Sequence, residues 1–594
     1  MVKDEMAWDL SQMVDSTNPS SVQEQLTLMA AESEKLRDRY HGKISNFNAE
    51  SVLKLLQTRD SFRLRFEGTV KYCQLMYSAN SLDYTAKHLN DASRQALMKA
   101  GKALAFIEIE LGKLLASKPL LAKDPMLAEY KHYLERILRR VPHMLSEAEE
   151  QVIIVKDKNG INSWEQFQSD WLSTRTFTIK VKGKKKTLPY GQIIGFYQSS
   201  DRLLRKRSNE AVYEELSRDE IAWASALRAL CDDHVQMCEF RKWPRPMTQS
   251  LIDNDVDQQT IDSLMKSIRK NVSLYRRYLK LKAKLMGLRK LANYDIMAPL
   301  PKAPEKSYRW ADARREVTGA YGKFDRQMSL WVEEMYERRH IDGKVRKGKT
   351  SGAWCSSWLK GRSAYILQSF NGKIEDLYTQ AHELGHAVHN YLASRAQKPT
   401  NCDTGGCAAE TGSIFGELLL TEHLLAKART KEERQTILAN VLNDFGIAAF
   451  QVSARVFFEQ SLYDSIKQGQ FLDGKTIARL WVKARDTIYG ETVNWLDVMK
   501  WEWTMKPHYY LANYRFYNYP YVFAQLFVFA LYKLYKEQGK SFVPRFKQLL
   551  AAGSSKSPRE LAGEIGFDIA EESFWEKGML QAKEFVDLLE ETLE

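Results

Sequence analysis

His382-Glu383-Leu384-Gly385-His386-Ala387-Val388-His389 is the stretch on which the reading of this chain turns. On a helix, His382 and His386 stand at i and i+4, so both imidazoles leave one face. That spacing lets two ring nitrogens reach one zinc ion at about 2.0–2.1 Å. Glu383 sits beside the first histidine, off the ligand direction but near the place of a coordinated water. Zinc lowers the pKa of such a water to about 7. A carboxylate there can accept its proton and later hand it to a leaving amine. The neighbours read as helix: Glu375 and Asp376 place acids near the start, and Leu377, Ala381, Leu384, Val388 and Leu392 recur three to four apart. Gly385 weakens a helix and is tolerable where a metal or a second helix comes close.

Upstream, Ser363-Ala364-Tyr365-Ile366-Leu367-Gln368-Ser369-Phe370 reads as a strand, and Asn371-Gly372 as the turn after it. Such a strand either pairs with an extended peptide or serves as an ordinary core strand. Downstream, a third ligand is needed, because a catalytic zinc takes three protein ligands and keeps one position open. Leu392 stands where a metzincin has its third histidine, which excludes that class. Gly405-Gly406-Cys407-Ala408-Ala409-Glu410 opens an apolar helix running through Leu420, with Ser413 and Glu417 on the face of Glu410. Glu410 is the expected third ligand and Glu417 the acceptor that orients a zinc-bound histidine. The alternatives are Glu417 as ligand, or two surface acids. His389 shares the ligand face and is expected to support the site or meet substrate.

His382-Glu383-Leu384-Gly385-His386-Ala387-Val388-His389 followed by Ala409-Glu410-Thr411-Gly412-Ser413 resembles the M3 peptidases, most closely their oligoendopeptidase F branch. The stretch from Gly352 through Lys360-Gly361-Arg362 and the aromatic segment after Pro507 share the likeness. The aromatic segment reads Pro507-His508-Tyr509-Tyr510, then Phe516-Tyr517-Asn518-Tyr519-Pro520-Tyr521. Its His and Tyr groups are donors of the kind that stabilise an oxyanion, and most of its rings suit a core. The resemblance singles out His508 and Tyr517, and then Tyr514 and Tyr519, as residues facing substrate. It implies a mainly α, zincin-type fold with a small sheet beside the catalytic helix and a deep central cleft. An N-terminal helical domain over 1–190 would precede a catalytic domain over 191–594. The implied activity is hydrolysis of internal bonds in short unstructured peptides, with one zinc per chain. The rivals are an exopeptidase clamping a substrate carboxylate with Arg515 or Lys506, and an inactive peptide binder. Gly412 and Ala524 depart from the family pattern, and neither is expected to touch the chemistry.

The 594 residues exceed what one hydrophobic core supports. A hydrophobic share of 44% and a charged share of 27% are those of a soluble globular chain. The acids in Met1-Val2-Lys3-Asp4-Glu5-Met6 argue against a secretory signal. Tyr521–Tyr535 is the longest apolar stretch noted, too short and polar to span a bilayer. Six cysteines fit free thiols in a reducing cytoplasm. A net charge of +13 is spread widely, and its densest pieces are Lys180–Lys186, a hairpin tip, and the amphipathic run Lys266–Lys290. Both are expected to be solvated faces. Without a nucleic-acid motif, the expected partners are short peptides, with no nucleic acid or membrane, in a monomer or homodimer. Helices are expected over Asn48–Leu56, Asp91–Leu115, Met126–Arg140 and from Tyr190 to about Gly287. Thr176–Val181 is expected to be extended, and Pro299, Pro301 and Pro304 mark a crossing loop. Cys231-x-x-His234-x-x-x-Cys238 reads as a packed helix more readily than as a second metal site.

Overall fold

The structure is a computed structural model and describes residues 5–301 and 306–594, so Pro304 and the first four residues lie outside the described residues. Helices dominate and the strands are few and short, a mainly α fold with a small sheet beside the metal-motif helix. Contacts divide the chain into two compact units, each drawn from three stretches. One comprises Met1–Val141, Glu305–Lys427 and Leu534–Asp568; the other comprises Pro142–Pro304, Ala428–Lys533 and Ile569–Glu594. The sequence reading instead divides the chain once, after residue 190.

In the first unit the long helices start where side chains satisfy their free N–H groups. Asn18 accepts from Ser20 N, Asn48 from Ser51 N, and Asp83 from Ala86 N, opening Pro19–Tyr40, Ala49–Ala79 and Tyr84–Leu104. The helix expected over Asp91–Leu115 is interrupted at Ala105, where Tyr84–Leu104 gives way to Phe106–Ser117. Met126–Arg140 begins as a 3-10 turn, Pro125–Tyr130, before Lys131–Arg140. Phe66, Val70 and Leu89 of these helices share a core with Trp358, Tyr365 and Leu367.

Those last three belong to a three-stranded sheet. Ser363–Leu367 is its middle strand, parallel to Ile341–Asp342 and antiparallel to Trp354–Trp358. All five middle residues are buried. Ser363–Leu367 is therefore a core strand with neighbours on both sides, and Ile341–Asp342 and Trp354–Trp358 are the two edge strands.

The second unit carries the hairpin Thr176–Val181 with Lys184–Pro189. Lys182 and Gly183 turn it with φ of 48° and 80°, the double positive φ of a type I′ turn. Helices then follow from Tyr190 to Leu285. The basic run Lys266–Lys290 differs from expectation at one point: Lys282 is fully buried. Its ammonium donates to Ile296 O at 2.6 Å and Asn443 Oδ1 at 2.9 Å, and burial draws it down to about 7. Among the described residues, one helical run, Lys431–Lys467, is long and apolar enough to cross a membrane, and 67% of its most apolar window is buried in the fold. It displaces Tyr521–Tyr535 as the segment to weigh on that point.

Candidate active site

The helix bearing the histidines spans Ile374–Ala396. Asp376 fixes its start by accepting from Asn371 N at 2.7 Å and Lys373 N at 2.9 Å. Gly372 turns into it with φ of 80°. Leu377, Ala381, Leu384 and Val388 are buried as the spacing requires.

The second helix, Thr411–Leu425, crosses the first at a distance only glycine permits. A Cβ on Gly385 would lie 2.2 Å from Gly412 O, and one on Gly412 would lie 2.4 Å from Gly385 O. One turn on, a Cβ on Gly416 would meet Tyr321 Oη at 2.2 Å and Ala381 O at 2.5 Å. Tyr321 itself donates to Ala381 O at 2.8 Å. Gly412 therefore bears on the site through backbone packing, a part distinct from the chemistry that the sequence reading expected it not to touch. The Gly412-x-x-x-Gly416 spacing was the available signal.

This crossing brings Glu410 onto the histidines. Glu410 Oε2 lies 3.3 Å from His382 Nε2 and 3.2 Å from His386 Nε2. On the far side of His382, Nδ1 meets Glu417 Oε1 at 2.5 Å. Ser413 Oγ donates to Glu410 Oε2 at 2.6 Å. Burial alone would draw the His382 imidazole down, but Glu410 and Glu417 raise it well above its usual value. Burial opposes ionisation of Glu410, yet the two histidines hold it well below the carboxylate range.

Among the described residues, His382, His386 and Glu410 form the one group of three acids, histidines or cysteines whose ligand atoms converge, all within 4.8 Å. Tetrahedral bonds of about 2.0–2.1 Å place ligand atoms about 3.3 Å apart. Both Glu410 distances meet that figure, so the donor set of two nitrogens and one oxygen fits a divalent ion. Glu417 stands at the other ring nitrogen of His382, where it fixes the tautomer. Glu383 is buried, and burial raises its carboxyl. It lines a cavity of about 420 Å³ with both histidines, Glu410, Cys355 and Asp403. His389 lines the same cavity but is outside the convergent group, buried and drawn down to about 4.

The aromatic segment belongs to the second unit, and its burial sorts its tyrosines. Tyr509, Tyr510 and Tyr519 are core. Tyr519 donates to Ser250 O at 2.9 Å within that core. Tyr514 Oη accepts from Asn254 Nδ2 at 2.7 Å. Tyr517 stays half-buried, stacked on His508 with ring centroids 4.6 Å apart and planes 18° from parallel. Tyr521 donates to Tyr517 Oη at 3.2 Å. Burial, with Arg455 and Lys506 next, draws the His508 imidazole down.

Their loop is pinned from three helices. Ala512 N donates to Glu165 at 2.9 Å, Gln249 donates to Asn513 O at 3.3 Å, and Phe516 N donates to Glu459 at 2.7 Å. Phe516 holds a left-handed φ of 56°, costly for a bulky residue. Glu459 is fully enclosed, and burial raises its carboxyl to about 7 against the pull of Phe516 N–H and Arg515. No sequence motif pointed to Glu459.

Both cations suggested as carboxylate clamps are committed elsewhere. Arg515 is buried and donates to Tyr509 O and Ala512 O; Lys506 pairs with Glu502 at 3.1 Å. His234 contacts Pro246 O at 2.7 Å within packed core, and among the described residues none of the six cysteines is in a disulfide.

A mainly α fold thus has two crossed helices that converge His, His and Glu on one point, a donor set for a divalent ion, with a buried glutamate beside them. Residues 196–580 match the family model Peptidase family M3, and residues 118–177 match a model described as Oligopeptidase F. The chain therefore belongs to peptidase family M3. Oligopeptidase PepF of Bacillus subtilis is 25% identical over 93% of this chain and 83% of its own length. Group B oligopeptidase PepB of Streptococcus agalactiae is 26% identical over 88% and 87%. In fold, a crystal structure from Chlamydophila abortus gives a TM-score of 0.89 at 21% identity, covering 99% of this chain and 98% of that one. Oligoendopeptidase-F from Enterococcus faecium gives 0.69 at 20% identity, covering 95% and 98%.

Proposed function

We propose that this peptidase is a zinc-dependent endopeptidase acting in the cytoplasm on internal bonds of short, unstructured peptides. The observation that carries the reading is Glu410 standing 3.2–3.3 Å from both histidine nitrogens. His382, His386 and Glu410 would hold the ion, with Glu417 fixing the His382 ring. When bound, zinc supplies Lewis-acid polarisation of the scissile carbonyl and acidifies water. Glu383, buried beside the ligands, accepts a proton from the attacking water and returns it to the departing amine. Its enclosure raises its proton affinity, which suits a group that must both take and give a proton near neutral pH. His508 and Tyr517 are assigned as donors to the developing oxyanion. Support for that role lies in their own loop, where they form a stacked, half-buried pair on a pinned backbone. The internal commitments of Arg515 and Lys506 favour an endopeptidase over an exopeptidase that clamps with either residue.

Glu383→Gln tests the reading. It should retain one zinc per chain by elemental analysis and lose about 10³-fold or more in kcat on end-blocked peptides. Internal cleavage of those peptides by the wild type, abolished by chelator and restored by zinc, is the expected companion result. Wild-type cleavage that survives full metal removal would refute the proposal.

A further inference from the structure

Strand Trp354–Trp358 borders the cavity of His382 and His386 at Trp354, Cys355 and Ser357, and among the described residues its outer side has no strand neighbour. That outer side is not free along its length. Helix Ala49–Ala79 lays Lys71 and Glu67 against its far end. Lys71 Nζ donates to Ser357 O, to Ser357 Oγ at 3.0 Å and to Ser356 Oγ at 3.3 Å. One turn earlier, Glu67 Oε2 accepts from Leu359 N at 2.9 Å and Lys360 N at 3.3 Å. The two side chains pair at 3.6 Å, and Glu67 is buried. An extended peptide docks on an edge strand through main-chain hydrogen bonds. Past Ser356 the Ser357 carbonyl and the N–H groups of Leu359 and Lys360 are already taken.

The same two side chains wall a second cavity, of about 570 Å³. Phe62, Phe66, Val70 and Leu97 give it an apolar lining. Leu97 is 39% exposed, high for a large apolar residue with no role in the core. The two cavities meet at Asp403, which lines both and is held by Arg63 at 2.7 Å.

We propose that Glu67 and Lys71 end substrate pairing at Ser356, and that the cavity behind them is a specificity subsite for an aromatic or branched aliphatic side chain of the peptide. The inference rests on the peptidase activity and on edge-strand docking, and needs neither the zinc assignment nor the choice of endopeptidase. Residues two apart on a strand are about 7 Å apart. Lys71 meets the strand at Ser357, two residues past Cys355, so the recognised side chain belongs two to three positions from the residue lying across Cys355.

Gly101 makes the test clean. It lines the cavity, and a Cβ there would meet nothing within 4 Å. The backbone at Gly101 therefore accepts a side chain, and Gly101→Phe is the variant chosen to occlude the subsite. Quenched peptides carrying Ala, Leu, Phe or Trp at one position at a time are compared by kcat/KM. In the wild type, one position should favour the bulky apolar residues over Ala by about tenfold or more. Gly101→Phe should erase that preference, bringing kcat/KM for the bulky peptides down to that for the Ala peptide. Leu97→Ala, at an exposed position, should weaken the same preference several-fold, which guards against misfolding of the first variant. Wild-type indifference at every position, or the preference surviving in both variants, overturns the subsite. Failure of the wild type to cut even the Ala peptide overturns the peptidase reading instead.

Discussion

Replacing Gly385 with alanine adds one methyl group at the point where the two ligand-bearing helices touch. The new Cβ would lie 2.2 Å from Gly412 O and 2.6 Å from Ser413 Cα. Ordinary contact begins at 3.4 Å, so the crossing must open by about 1.2 Å. Both obstacles belong to backbone, and no rotamer change can move them aside. Glu410 rides on the displaced segment. Its oxygen now lies 3.2 Å and 3.3 Å from the histidine nitrogens, close to the roughly 3.3 Å edge of a tetrahedral site. An opening of about 1 Å takes it out of coordinating range. Structural zinc sites with four protein ligands bind with about 10–16 kcal/mol, or about 3 kcal/mol per ligand. Losing Glu410 should therefore weaken zinc about 100-fold. Overpacking should cost a further 1–3 kcal/mol or so of stability. The assays are zinc competition against a chelator of known affinity, thermal melting, and kcat/KM on a quenched peptide. The variant should melt a few degrees lower, bind zinc about 100-fold more weakly, and recover partial activity at high zinc. Unchanged zinc affinity in a folded Gly385→Ala protein would refute the argument that this glycine contact sets the ligand distance.

Two further predictions concern the second unit. Glu459 is fully enclosed and its carboxyl is raised from 4.5 to about 7, so folding favours its protonated form. That contribution is complete below pH 4.5 and is lost as pH rises through 7, to a total of about 3 kcal/mol. Wild-type Tm should accordingly fall between pH 5.5 and 8.5 with a component that Glu459→Gln removes, and an unaltered profile in the variant would count against the assignment. Tyr517→Phe should lower kcat about 10²-fold with KM and zinc content nearly unchanged, measured by steady-state kinetics; full activity would remove Tyr517 from the chemistry.

What could be read in the sequence was local in the chain. The His382–His386 spacing, the inward face from Leu377 to Val388 and the Asn371-Gly372 turn are each set by neighbours within a few residues. The structure repeats them. Glu410 was reachable because one apolar helix with an acid at its start follows within a few turns. Non-local arrangements were not legible. Ser363–Leu367 looks like a strand from its own residues, but nothing in them says that it lies in the middle of three strands. Only pairing to Ile341–Asp342 and Trp354–Trp358 decides that. The tyrosine register was ambiguous for the same reason. Tyr514, Tyr517 and Tyr519 are equivalent by composition and become distinct through Asn254, His508 and Ser250, which lie far away in sequence except for His508.

Glycine marks the boundary between these two kinds of information. Read as a helix residue, Gly385 is a cost of about 1 kcal/mol relative to alanine, and Gly412 is a departure from a family pattern away from the chemistry. Read together with Gly416, they are the surface through which one helix backbone reaches another, at separations no Cβ survives. A carboxylate side chain is short, so Glu410 can join His382 and His386 on one ion only if its own backbone comes this near. In the proposed metal site the motif supplies two ligands, and the glycines supply the distance at which a third can act.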